Sequence, residues 1–173
     1  MATASMTGVH PDTGRWAKRG MVGGIVAGIT FAMFEMVMVA LMNGADAFFM
    51  PLRMIGAMVL GSEALAPGYS LATAALAGAV VHMVMSGIFG MTFGLIASLV
   101  PALARSRGAL VVAASLFGLI LWLVDFYVIA PAAGWDWFPN GTNETVQFLA
   151  HTVFFGTVLG LYLDRVRASG RNA

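Results

Sequence analysis

Charge is what this sequence has least of. Only 10% of its 173 residues are Asp, Glu, Lys or Arg, against about a quarter in a soluble domain. After Gly20 no polar stretch is long enough to make a separate soluble domain. Cysteine is absent, which excludes disulfides, thiolate metal sites and cysteine nucleophiles together. No Walker motif, G-x-S-x-G elbow or H-E-x-x-H is present, so a conventional hydrolase or nucleotide enzyme has no support and a non-enzymatic role is favoured. The net charge of +1 gives no argument for nucleic acid as a partner; the positions of the charges carry more than their sum.

Apolar residues are abundant, at 60% of the chain with a mean hydropathy of +0.87. A helix needs roughly 20 apolar residues to cross a ~30 Å hydrocarbon core. Four runs qualify, at about 20–42, 72–99, 109–130 and 144–163. Asn43-Gly44 closes the first, Pro101 the second, and Pro131 with Gly134 the third; Asn143 suits the cap of the fourth, with Glu144 in its first turn. Ala45-Asp46-Ala47 resembles a signal-peptidase site. The preceding run is too long for a signal peptide, however, and Glu35 interrupts it, so a retained first span is expected. The expected fold is all-α: a transmembrane antiparallel four-helix bundle over residues 20–164, between a polar tail (1–19) and a basic tail (165–173).

Eight of the nine Lys and Arg residues fall on one side of such a bundle: Arg15, Lys18, Arg19, Arg105, Arg107, Arg165, Arg167 and Arg171. Only Arg53 lies opposite. The positive-inside rule then places both termini in the cytoplasm, and the bacterial character of the chain points to the inner membrane. On the outer side, Pro51 suits the start of a short helix over about 51–60, lying on the membrane surface or against the bundle mouth. Trp135, Trp137 and Phe138 fit an interfacial aromatic belt. Met50, Met54 and Met58 are four apart, and a flexible apolar face accounts for them better than a Cu(I) site.

Small residues recur every four positions: Gly20, Gly24 and Gly28; Ala74 and Gly78; Gly90 and Gly94; Gly156 and Gly160. Such stripes let membrane helices approach closely. They specify packing and no chemistry. The ionisable residues inside the runs are the stronger signal: Glu35, His82, Asp125 and His151, one per run. At 1.5 Å per residue all four fall in the outer half, at depths of about 5–15 Å, with Glu144 and Gln147 expected along the approach. A hydrogen-bonded lock between helices contributes only about 0.6–2 kcal/mol, whereas an ionised side chain at mid-depth costs at least ~2.5–3.5 kcal/mol. Three roles follow. The cluster could relay protons or cations, histidine titrating near neutrality. His82 and His151 could ligate haem iron or a divalent metal, although the Glu-x-x-His pairs of di-iron bundles are missing. Or the polar residues of an accessory subunit could meet a membrane-complex partner or a second copy of the chain.

The stretch His82-Met-Val-Met-Ser86-Gly-Ile-Phe89 and the block Trp137-Phe-Pro-Asn to Gln147-Phe-Leu-Ala-His151, ending in Asp164-Arg165, resemble the YagU-type small bacterial inner-membrane proteins. The resemblance covers about half of the chain and implies a multi-span protein in which His82 and His151 are the positions of interest. It leads one to expect a carboxylate four residues before the last histidine, where this chain has Gln147. Pro51-Leu-Arg-Met-Ile-Gly-Ala-Met also resembles short proteins labelled sodium/proline symporters, but four spans without broken repeats do not match that fold.

Overall fold

The computed structural model describes residues 12–169. Residues 1–11 of the polar tail, and Arg171 of the basic set, lie outside the described residues. Regular structure among the described residues is helical throughout, with no strand. Four helices are long and apolar enough to cross a membrane: α1 (Thr13–Asn43), α3 (Leu71–Leu99), α5 (Arg107–Ala132) and α7 (Glu144–Ser169). Between them lie α2 (Met50–Leu60), α4 (Pro101–Arg105) and α6 (Trp137–Asn140).

Side-chain caps set the starts. Asp12 accepts from the Arg15 amide at 3.0 Å, Ser70 from Thr73 at 3.3 Å, Ser106 from Ala109 at 3.3 Å and Asn143 from Val146 at 3.0 Å. Each satisfies an amide that the first helical turn leaves without a carbonyl. Gly44 ends α1 at φ +96°, returning its amide to the Ala40 carbonyl. Helix therefore begins at Thr13 and runs on to Ser169, taking in residues 13–19 and 165–169 that composition assigns to tails. Hydropathy marks what can sit in lipid; caps mark where the helix starts.

Helices α5 and α7 each contain a π segment, at Asp125–Ile129 and Ala150–Thr157. The wider i→i+5 turn disturbs the regular hydrogen-bond ladder, and side-chain hydroxyls reach carbonyls in the second segment. The Thr30 hydroxyl of α1 donates to the Phe154 carbonyl at 2.7 Å, and that of Thr157 to the Thr152 carbonyl at 3.2 Å. Ser115 of α5 bonds Thr157 at 2.7 Å. Thr30→Val should therefore lower stability by about 0.6–1.7 kcal/mol, the range measured for interhelical hydrogen bonds, read by reversible unfolding in mixed micelles.

Glycines let the helices meet backbone to backbone. A Cβ on Gly24 would strike the Ser86 carbonyl, one on Gly94 the Trp16 carbonyl, and one on Gly20 the Gly90 carbonyl, all across the α1–α3 seam. In the α5–α7 seam, a Cβ on Gly118 would strike the His151 carbonyl, while one on Gly156 or Gly160 would come within 2.8 Å of the Cα of Ser115 or Val111. Gly56 and Gly78 face Ala74 and Leu52 in the same way, so α2 is docked onto the first turns of α3. Arg53 holds the turn that follows α2, donating through Nε to the Ala64 carbonyl at 2.7 Å and through a terminal nitrogen to that of Ala66. One half of the bundle is filled by Trp16, Phe93, Leu110, Leu159 and Leu163. The other half is hollow.

Candidate functional site

The hollow half holds a cavity of about 260 Å³. Glu35 of α1, His82 of α3, Asp125 of α5, and Gln147 and His151 of α7 all line it. Glu35, His82, Gln147 and His151 are buried, and Asp125 is half-buried. Glu144 departs from the expectation: it is exposed, accepts from the Tyr127 hydroxyl at 3.2 Å, and lines neither this cavity nor its neighbour. The first turn of α7 turns it away, while Gln147, three residues on, points inward.

Hydrogen bonds fix the polar groups. Gln147 donates its amide to a Glu35 carboxyl oxygen. His82 donates through Nε2 to the Gly28 carbonyl at 2.9 Å, and His151 through Nδ1 to the Gln147 carbonyl at 2.9 Å. A carbonyl only accepts, so those nitrogens carry the proton, and the second nitrogen of each neutral ring is an acceptor. Gly28 makes the first contact accessible: a Cβ there would collide with the Ser86 side chain and stand 3.5 Å from His82 Nε2. Phe31 packs on both imidazoles, with ring centroids 5.1 Å from His82 and 4.7 Å from His151. Both π segments lie at the site, since Asp125 opens one and His151 is the second residue of the other.

Several wall residues were read otherwise from sequence. Trp135 and Phe138 line the cavity, and Trp137 donates to the Met54 carbonyl at 3.1 Å; the loop expected as an interfacial belt also serves as a cavity wall. Met54 and Met58 also line the cavity, while Met50 lines a second one. The four-residue spacing of the methionines was a signal for one face, but not for which neighbour that face meets.

The second cavity, of about 240 Å³, reaches the loops at Asn43, Ala47 and Asn143. Glu35, Pro51, Met54, Thr142 and Gln147 line both cavities. The Glu35–Gln147 pair is thus part of the partition between an inner chamber and a vestibule. No protein-family model, curated protein or solved structure matches the chain.

Proposed function

We propose that this chain is a multi-pass protein of the bacterial inner membrane, an antiparallel four-helix bundle with both termini cytoplasmic, whose inner chamber takes up and passes on protons or cations. The four apolar helices and the one-sided placement of Lys and Arg support the membrane setting. Gly20 lies against Gly94 and Gly28 against Ser86, so residue numbers run in opposite senses across the seam. Arg53, the exception among the basic residues, has a structural task in holding its turn.

One observation carries the functional reading: carboxyl, carboxamide and imidazole groups from four helices line one chamber beside a vestibule. Ionisable groups inside a membrane protein characteristically mark ion or proton routes. Among the described residues no three of His, Asp and Glu come together as a metal-holding group, which favours protons over a divalent metal at His82 and His151. The filled half, with Phe93, Leu110, Leu159 and Leu163, lies between the chamber and the basic end of the bundle. Passage onward thus requires relative movement of the helices. In vesicles carrying an imposed pH gradient and an entrapped pH dye, the wild-type protein should speed dissipation, and Glu35→Gln and His82→Ala should each abolish the effect. Unchanged rates in both variants would remove the reading.

A further inference from the structure

The inner chamber has a surplus of hydrogen-bond acceptors. The ring N–H groups of His82 and His151 are committed to carbonyls, and the Gln147 amide to Glu35. With the carboxyl groups ionised, what remains is acceptor in character: the second nitrogen of each imidazole, the second oxygen of Glu35, and the carboxylate of Asp125, none with a donor among the described residues. Gln147, only 2% exposed, keeps its Oε1 buried with no partner. Native proteins rarely leave such an acceptor unfilled. Ser86 and Trp135 are the uncommitted donors in the wall.

Charge has the same bias. Two carboxyl groups line the chamber, and no Lys or Arg does so among the described residues. The titratable groups that line the chamber together with Glu35 are His82 on α3, Asp125 on α5 and His151 on α7. Helix α2 contributes none, since Arg53 is turned to the Ala64 and Ala66 carbonyls. The remaining wall is apolar and aromatic, with Phe31, Phe126, Phe138, Phe155 and Trp135 in it. Aromatic faces attract organic cations. Size is adequate: an engineered apolar cavity of about 150 Å³ admits benzene, and this one is about 260 Å³.

We propose that the inner chamber binds a lipophilic organic cation, a protonated amine with an apolar body of about one substituted ring. The inference rests on the proton-and-cation reading of the same site and names its cargo. The positive head lies among Glu35, Asp125 and the free imidazole nitrogens, and the body lies against the aromatic wall. A neutral apolar molecule would leave every one of those acceptors unfilled and the carboxyl groups without a counter-charge.

Trp135 lines the chamber and serves as the reporter. The purified protein in detergent is titrated at neutral pH with benzyldimethylammonium, which carries one N–H donor, and, separately, with its uncharged isostere isobutylbenzene, following tryptophan fluorescence. The cation should give a saturable change with a Kd at least ten-fold below that of the isostere, and Trp135→Phe should remove the signal. Glu35→Gln and Asp125→Asn should each weaken cation binding at least ten-fold. Equal affinity for the isostere, no saturation, or a signal that survives Trp135→Phe would overturn the proposal. The charged-versus-neutral comparison uses the wild-type chain, so misfolding of a variant does not blunt it. A Glu35-dependent pH response without saturable cation binding would defeat this inference alone. Cation binding with a pH response unchanged in both Glu35→Gln and His82→Ala would uphold the site and defeat the relay.

Discussion

Gly90→Val should pull α1 from α3 and leave little folded protein. A Cβ at Gly90 would run into the Gly20 carbonyl and stand 2.7 Å from the Gly24 amide nitrogen. Both obstacles are backbone, which no rotamer change can clear. Overpacking costs about 1–3 kcal/mol where neighbours can shift, and more where they cannot. Lipid does not penalise separated helices as water would, because helix association in a bilayer rests on close packing and polar contacts. Gly87→Ala is the matched control. Its Cβ would meet Met21 and Ile25 side chains at 3.6–3.7 Å, an ordinary contact. Reversible unfolding in mixed micelles should show a large loss for the first variant and little change for the second; equal stabilities would refute the seam.

Inserting one alanine after Val153 should produce the second large effect. Val153 is exposed, in the middle of the Ala150–Thr157 π segment. The wide turn already absorbs one extra residue, so a further one rotates the parts of α7 on either side relative to each other by about 100°. The chain then has to choose. Keeping Gly156 and Gly160 against α5 turns Gln147 and His151 out of the chamber, while keeping those two breaks the glycine seam. In the first case Glu35 loses its donor, at about 1–3 kcal/mol for a buried group left unsatisfied, and the Thr30–Phe154 bond is lost as well. Unfolding free energy should fall by several kcal/mol, and the pH response should vanish. Full stability in the insertion variant would mean that the wide turn has no part in aiming the site.

The long helices were legible because apolar runs of that length have no competing explanation in so weakly charged a chain. The glycine spacing marked Gly20, Gly24, Gly90 and Gly94 as packing residues, and those are the positions where backbones touch. Assigning Glu35, His82, Asp125 and His151 to one chamber needed only depth and a regular helical period, and all four line one cavity. Glu144 was misjudged because a side chain in the first turn of α7 was assumed to follow Gln147 inward. The π segments have no compositional mark: Asp-Phe-Tyr-Val-Ile reads as ordinary apolar helix, and the wider turn depends on contacts with neighbouring helices. Trp135 and Phe138 suit an interfacial belt because their loop is aromatic and turn-rich, and nothing local shows that it folds back over α2.

The two glycine seams divide the molecule into an N-terminal half, α1 with α3, and a C-terminal half, α5 with α7. Each seam joins helices close in sequence, so the first pair can associate while the second is still being synthesised. The chamber draws its walls from both pairs and exists only once they meet. A nascent chain halted after α3 would be a compact hairpin in which His82 already has the Gly28 carbonyl while Glu35 still lacks its Gln147 donor, so the polar site is completed only by the second half.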